Sequence, residues 1–228
     1  MCGRFVQAQD PSRYAEYFGA DVTASESLAP SWNVAPTDRV YAVAEHEGRR
    51  LLGTFRWGLI PWWAKEAGIG ARHINARAES AAAKPAFRDS FAGRRCLIPA
   101  DGFFEWEKRQ KGKLPHYIYR GDGRPMALAG LWASWRDPAT GERVVTCTIV
   151  TTEPNHLVGR LHNRMPAVLL EGHWARWLDR GFGDSDALRA MLEPIGEGIL
   201  SEHPVSTLVN SVRHNLPDCI APLDPIDQ

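Results

Sequence analysis

The stretch between residues 95 and 150 constrains the fold of this chain more than any other part of the sequence. Short apolar and aromatic runs follow one another there, and the segments between them contain Lys-Gly-Lys, Gly-Asp-Gly and Asp-Pro-Ala-Thr-Gly-Glu. Glycine, proline and aspartate are residues that reverse a chain. We therefore predict consecutive hairpins of an antiparallel sheet, with strands over residues 95–99, 103–108, 115–119, 127–135 and 143–150.

Short helices are predicted on either side of this stretch. Asp10, Pro11 and Gly19 supply an amino-terminal cap, a proline in the first turn and a terminating glycine, which indicates a helix between them. The first five residues precede this helix as an extended arm. Further helices are predicted over residues 77–83, 153–160, 173–178 and 184–192, and a cap for the second of these is expected at residues 151–154.

A further hairpin is predicted over residues 40–45 and 51–57, although we expect Gly53 to interrupt its second strand. The sequence shows no alternation of strand, helix and strand. The pattern therefore indicates an α+β fold with a mainly antiparallel, curved or partly closed sheet and surrounding short helices. A length of 228 residues fits a single domain over residues 1–228, with a loose tail from about residue 222.

Composition excludes several classes of protein. A hydrophobic fraction of 44% with 24% charged residues excludes a disordered chain, because enough apolar surface exists to offset the ordering entropy. No apolar run approaches the roughly 20 residues that cross a bilayer, and the amino end lacks a secretory signal, so we expect a cytoplasmic protein without membrane contact. The 27 basic and 27 acidic residues give no net charge, so any nucleic acid would be bound by local charges.

The four cysteines, Cys2, Cys96, Cys147 and Cys219, show neither C-x-x-C spacing nor a neighbouring histidine pair. A zinc ribbon and a redox dithiol are therefore not indicated. We expect reduced thiols, no metal and no organic cofactor.

Cys2 is the most informative single residue. Removal of Met1 would place an α-amine and a thiol on adjacent carbons, and an α-amine with a pKa of roughly 7.7–8.0 is partly neutral at physiological pH. This pair can form a Schiff base with an aldehyde and close to a thiazolidine ring. It can also attack an acyl group, with the amine as base. A cysteine at this position also occurs by chance, so Cys2 alone decides nothing.

Glu105 is a candidate general acid or base. It lies between aromatic residues in the run Phe103-Phe104-Glu105-Trp106, on a predicted strand. Removal from water raises the pKa of a carboxyl group toward the range in which it exchanges protons near neutral pH. The alternative is a buried glutamate bonded to backbone or arginine.

Asn75 and Arg77 lie two residues apart at a predicted junction of strand and helix. An amide there can orient a substrate oxygen, and an arginine can bind a phosphate. The alternatives are a helix cap at Asn75 and a surface ion pair from Arg77 to a nearby glutamate. In the preceding cluster from residue 57 to residue 63, Trp57 suits the core, whereas a tryptophan beside a proline in an exposed loop can stack on a base.

His162 and Arg164 follow a predicted helix in the run His-Asn-Arg-Met-Pro. Histidine exchanges a proton near neutral pH, and the arginine can hold an anion nearby. A lone histidine is more often structural, so its neighbours single this one out.

Six ordered motifs resemble those of the SRAP family, the SOS response-associated peptidases or abasic-site processing proteins. The motifs run from residue 1 to about residue 166: Met-Cys-Gly-Arg-Phe, Trp-Asn-Val-Ala-Pro-Thr, Trp-Gly-Leu-Ile-Pro-x-Trp, Ile-Asn-Ala-Arg-Ala-Glu, Ile-Pro-Ala-Asp-Gly-Phe-x-Glu-Trp and His-x-Arg-Met-Pro.

This resemblance implies an α+β fold with a basic cleft and a function in the DNA damage (SOS) response. Cys2 would form a covalent thiazolidine crosslink with an abasic site in single-stranded DNA. The resemblance also gives roles to further residues: Asn75 would position Cys2 and the sugar, Glu105 would shuttle protons, and His162 would assist ring opening and crosslink reversal. Contacts with DNA would come from Arg4, Arg77 and Arg164 on phosphates and from Asn33 and Trp63 along the strand.

Two other classes of function remain open. The first is a cysteine peptidase or amidohydrolase with an amino-terminal nucleophile, whose minimal form removes Met1 autocatalytically. The second is a single-strand binding module that uses only arginine and tryptophan. A lyase activity on abasic DNA is a further expectation from the resemblance. For the abasic-site reading we expect a monomer whose partner is single-stranded DNA with abasic sites, so that the protein is nucleoid-associated when bound.

Overall fold

The computed structural model describes residues 2–24 and 27–223. Its strands are β1 (Phe5–Gln7), β2 (Asp21–Val22), β3 (Ser31–Val34), β4 (Arg39–His46), β5 (Arg49–Trp57), β6 (Asn75–Arg77), β7 (Arg95–Ala100), β8 (Gly102–Lys108), β9 (Lys113–Arg120), β10 (Met126–Arg136), β11 (Arg143–Thr152), β12 (Met165–Pro166) and β13 (Leu200–Pro204). Its α-helices are α1 (Pro11–Phe18), α2 (Ala78–Ala81), α3 (Arg88–Gly93), α4 (His156–Gly159), α5 (Glu171–Leu178) and α6 (Ser185–Ala190). Single 3-10 turns cover Ala67–Arg72, Thr207–Asn210 and Pro217–Ile220.

Five strands close into a barrel. The order is β11, β10, β7, β4 and β5, and each strand is antiparallel to the next one in this order. The barrel closes where β5 pairs in parallel with β11, at Trp57 opposite Cys147. The predicted α+β fold with a mainly antiparallel, partly closed sheet is therefore confirmed, and the barrel is closed completely.

A second sheet packs beside the barrel. Its order is β13, β9, β8, β1 and β3, and all pairs in it are antiparallel. The expected amino-terminal arm is therefore a strand of this sheet, because β1 lies between β8 and β3. This placement brings Cys2 into the interior of the fold.

The predicted strands of the central stretch and the predicted hairpin at residues 40–57 are confirmed, with ends that differ by a few residues. The expectation that Gly53 interrupts the hairpin is wrong. Strand β5 runs without a break, and Gly53 pairs with the small residue Ala42 in regular register. Strands β1, β3 and β13 were not predicted, because each is short and pairs with a distant part of the chain.

The predicted helices are present and most are short. In α1, the Asp10 side chain accepts a hydrogen bond from the backbone N–H of Ser12, and Gly19 ends the helix at φ 59°, in the left-handed region. Helix α4 is capped by Asn155, whose side chain accepts from Val158 N–H, and not by residues 151–154 as the sequence suggested. No helix among residues 2–24 and 27–223 is long and apolar enough to cross a membrane.

The first two residues of the tail predicted from about residue 222 are described and are attached to β13. Pro222 forms a β-bridge with Val205, and Leu223 N–H donates to the Pro204 carbonyl. The rest of that tail lies outside the described residues.

The apolar core that positions the site lies between the barrel and the second sheet. It contains Cys2, Phe5, Trp57 and Cys147, all without solvent exposure. The Trp57 indole donates to the Ile74 carbonyl at 2.9 Å, which confirms the core role expected for this tryptophan. Cys2 is therefore held at the boundary of the two sheets.

Candidate active site

Cys2 lies directly before β1 and is fully buried. The chain around it is fixed because Phe104 N–H of β8 donates to the Arg4 carbonyl at 3.0 Å. Burial raises the pKa of the Cys2 thiol, and the carboxylate of Glu105 raises it further. The thiol therefore stays protonated at neutral pH, and its reaction needs a nearby proton acceptor.

Asn75 holds the backbone of Cys2. It begins β6, which pairs in parallel with β11 at Ile149, and its Nδ2 donates to the Cys2 carbonyl at 2.8 Å. Its Oδ1 is buried without a hydrogen-bond partner among the described residues. Asn75 is not a helix cap, because the residue before α2 is Arg77 and no side chain caps that helix. The amide thus presents one acceptor beside Cys2.

Glu105 lies on β8 and is only 2% exposed. Burial raises its pKa to about 7, and the positive charge of Lys113 acts in the opposite direction. Near neutral pH both protonation states of Glu105 are therefore populated. This is the property that a general acid and base requires.

His162 follows α4 and is half-buried. Its Nδ1 lies 3.0 Å from the Arg164 nitrogen and 3.2 Å from the Arg164 carbonyl oxygen, so the ring is held against the backbone of Arg164. Burial lowers the pKa of His162, and the charges of Lys108 and Lys113 act in the same direction. The neutral imidazole is therefore favoured. Because Lys113 influences both Glu105 and His162, the two groups share one electrostatic environment.

Two of the residues expected along the DNA strand point inward. Arg4 donates to Asn33 Oδ1 and to the Val209 carbonyl, each at 2.8 Å. Asn33 is 2% exposed, and its amide donates to the carbonyls of Val209, Ser211 and His214. Both side chains thereby attach the carboxy-terminal segment to β1 and β3. Their contact with DNA remains a prediction.

Arg164, expected on a phosphate, makes a two-pronged ion pair with Glu79 at 2.6 and 3.0 Å and donates to the Thr151 carbonyl. A phosphate would have to compete with this carboxylate. Arg77 is exposed, and the glutamate that could have paired with it is the one that Arg164 binds.

Trp63 is 45% exposed and lines an open cavity of about 530 Å³ together with Lys65, Glu66 and Arg72. Its neighbour Trp62 is 63% exposed, and the Trp62 indole donates to Asp89 Oδ2 at 3.2 Å. An exposed ring next to two cations suits the stacking of a base. Trp63 is therefore accessible to solvent, and its contact with DNA remains a prediction.

Comparison with known proteins decides the family. A family model described as SOS response associated peptidase (SRAP) matches residues 1–212. The chain belongs to the SRAP family. A relative from Bacillus subtilis (strain 168), the abasic site processing protein YoqW, is 40% identical over 222 residues, which cover 96% of this chain and 99% of the relative.

More distant SRAP proteins also match. The abasic site processing protein HMCES of Xenopus tropicalis is 33% identical, with 86% of this chain and 67% of that protein covered. A crystal structure of a protein from Bacteroides thetaiotaomicron superposes with a TM-score of 0.89 at 26% identity, over 97% of this chain and 100% of that one. The resemblance inferred from the six motifs is therefore confirmed.

The structure adds basic residues that the sequence analysis of this SRAP chain did not single out. The tip of the hairpin between β8 and β9 carries Lys108, Lys111 and Lys113, with Lys108 directly opposite Lys113. The run Lys-Arg-Gln-Lys-Gly-Lys was the available signal. Its relevance depends on the fold, which brings the hairpin tip next to Glu105 and His162.

One group of side chains in the described part of the SRAP chain combines metal-ligand types. His214, Asp218 and Cys219 place one ligand atom each within 4.8 Å of one another. His214 Nε2 already lies 2.8 Å from Asp218 Oδ1, and the Cys219 thiol donates to the His214 carbonyl. The positive charge of Arg4 also acts on Cys219. These contacts account for the group without an ion.

Proposed function

We propose that this SRAP protein captures the ring-opened aldehyde of an abasic site in single-stranded DNA as a thiazolidine on Cys2. The observation that carries the proposal is the convergence of two groups on Cys2: the Asn75 amide, 2.8 Å from the Cys2 carbonyl, and the Glu105 carboxyl with its pKa of about 7. The names of the relatives, abasic site processing proteins, support the choice of substrate.

The first chemical step joins the amine to the aldehyde. Once Met1 is removed, the α-amine of Cys2 attacks the aldehyde carbon and forms a carbinolamine. Glu105 accepts a proton from the attacking nitrogen and returns one to the hydroxyl group, which leaves as water. The product is an imine between Cys2 and the sugar. A carboxyl group with both protonation states populated can perform each half of this transfer.

The second step closes the ring. The Cys2 sulfur attacks the imine carbon, a C–S bond forms, and the thiol proton is transferred to the imine nitrogen. No oxidation or reduction takes place, and water is the only group lost in the whole sequence. Because burial keeps the thiol protonated, Glu105 is also the group placed to relay this proton. His162, as a neutral imidazole, assists opening of the sugar ring and reversal of the crosslink.

The DNA strand is held by local charges, since the chain has no net charge. Arg77 and the lysines of the β8–β9 hairpin tip supply exposed cations beside the site, and Trp63 supplies an exposed ring. Arg4, Asn33 and Arg164 support this surface through the contacts described above. Exposed cations on a flat surface bind the backbone with little sequence preference.

The second candidate is a peptidase that uses Cys2 as nucleophile. The family description favours it. The raised pKa of the thiol counts against it, because the thiolate is the attacking species in cysteine peptidases.

A denaturing gel separates these functions. The protein, with loss of Met1 confirmed by mass spectrometry, is mixed with single-stranded DNA that contains one abasic site. We expect a heat-stable shifted band from the parent and from the control Cys219→Ala, and none from Cys2→Ala. Absence of the band from the processed parent contradicts covalent capture. Cleavage of a peptide that depends on Cys2 and needs no DNA supports the peptidase, whereas unchanged DNA binding with no covalent band from any form supports a simple binding module.

A further inference from the structure

His116 lies directly opposite Glu105 in the second sheet. Strands β8 and β9 pair in unbroken register from Gly102 to Lys108, with Glu105 facing His116. Residues paired in this way project from the same face, and their Cβ atoms lie about 4.5–5.5 Å apart. His116 is 8% exposed. An imidazole is therefore enclosed next to the carboxyl group that carries protons in the proposed function.

Two carboxylates hold the His116 ring. Nδ1 lies 2.7 Å from Glu202 Oε2 on β13, and because a carboxylate only accepts, Nδ1 is the donor. Nε2 lies 3.7 Å from Glu107 Oε2 on β8. Glu107 in turn pairs with Arg109 at 2.9 Å. The tautomer and orientation of the ring are thereby fixed.

Glu202 also connects this group to the segment that carries His162. Its second oxygen, Oε1, accepts from Arg160 at 3.0 Å, and Arg160 precedes His162 by two residues. The Glu202 side chain is 15% exposed and is therefore largely shielded from water, whereas the Arg160 side chain is 56% exposed. The other charged groups near the site are the lysines at the tip of the β8–β9 hairpin, which act on Glu105 and His162.

We propose that His116 is a positioning residue for Glu105, held by Glu202 and Arg160, and that it adjusts the acidity of the Glu105 carboxyl during imine formation. This inference rests on the proposed function insofar as Glu105 is the group that moves the proton. The chemistry is electrostatic. A polar N–H of this ring stabilises the neighbouring carboxylate, in opposition to the effect of burial.

The first test measures Glu105 itself and needs no DNA. The carboxyl carbon of Glu105 is titrated by NMR in the parent, in His116→Gln and in Glu202→Gln. We expect the midpoint to rise by roughly one pH unit in His116→Gln, because a polar partner of the carboxylate is lost, and by less in Glu202→Gln. The double variant should rise no further than His116→Gln, because the two residues act as one unit.

The matched control is His203→Gln. His203 also lies in the second sheet, on β13, but it packs against the rings of Tyr117 and Tyr119 and its Nε2 bonds to the Ile220 carbonyl. We expect no change in the Glu105 midpoint. A variant His116→Phe keeps a ring in the sheet and removes its polar nitrogens, so it should reproduce the shift of His116→Gln.

An unchanged Glu105 midpoint in both His116 variants overturns the proposal. A lower melting temperature of these variants does not rescue it, because a purely structural role of His116 would change the stability of the fold and leave the Glu105 midpoint unchanged. The second measurement is the pH dependence of the crosslinking rate. The pH at which the rate rises on the acidic side should increase by the same amount as the NMR midpoint, while DNA affinity stays constant. If the parent forms no crosslink yet the midpoint shifts, the proposed function fails and the role of His116 stands.

Discussion

Replacement of Glu105 by glutamine should make the protein more stable above neutral pH while it slows the reaction. Each pH unit between the ordinary pKa of 4.5 and the folded value of about 7 corresponds to about 1.4 kcal/mol. The unfolded chain loses the proton first as the pH rises, so the penalty on the folded state grows with pH up to about 7 and keeps its full value above that pH. Ionised Glu105 therefore costs up to about 3 kcal/mol, and Glu105→Gln removes this cost.

The assay is thermal or urea unfolding of both proteins at about pH 8.5 and about pH 4.5. At the higher pH we expect Glu105→Gln to be more stable by up to about 3 kcal/mol, or roughly 6–12 °C in Tm for a chain of this length. At the lower pH the difference should shrink below about 0.5 kcal/mol, because folded Glu105 is then protonated.

The matched control is Glu107→Gln, two residues along the same strand. The Glu107 side chain is 37% exposed and pairs with Arg109, so its replacement should not stabilise the protein at either pH. Equal stability of the parent and Glu105→Gln at about pH 8.5 would refute the argument that burial disfavours the ionised form of this carboxyl group. In the same variant, crosslinking should slow by roughly 10²–10⁴-fold with little change in DNA binding, since an amide cannot exchange the proton.

The other expected outcomes concern DNA contact, positioning and packing. Arg77→Ala should weaken DNA binding and make its salt dependence shallower by roughly one unit, as measured by fluorescence anisotropy at several salt concentrations; an unchanged slope would assign Arg77 no phosphate. Asn75→Ala should slow crosslinking roughly tenfold or more in a timed gel assay, because the hydrogen bond to the Cys2 carbonyl is lost, and a rate equal to that of the parent would contradict this role. Gly102→Ala should destabilise the fold by roughly 1–3 kcal/mol in urea unfolding, because a Cβ there would lie 2.2 Å from the Tyr117 ring, and full stability would show that this ring can move.

Local signals in the sequence were sufficient for much of the fold. Helix α1 was predictable because its cap, first-turn proline and final glycine all lie within ten residues. The strands of the central stretch were predictable because turn residues separate them. Closure of the barrel was not, since it depends on the parallel contact of β5 with β11, about ninety residues apart. Gly53 misled the prediction because its partner across the strand, a small alanine, is not a sequence neighbour.

Residues of the site could be predicted where the signal lies in their neighbours along the sequence. Aromatic neighbours on its own strand were enough to predict that Glu105 is buried, and the structure agrees. Asn33 shows the opposite case: its amide bonds to carbonyls 176–181 residues away, and no pattern in the sequence connects these segments. His116 and Glu202 were missed for the same reason, because they become neighbours only when β9 pairs with β13.

The position of β1 between two strands that follow it in the sequence has a consequence for the order of events during synthesis. Strand β8 leaves the ribosome about a hundred residues after β1, an interval of roughly 5–20 s at usual rates of translation. The segment at Val209–His214, which Arg4 and Asn33 attach to the second sheet, emerges later still. Cys2 cannot be enclosed before these parts exist. An enzyme that removes Met1 therefore has its best access while the protein is still being made.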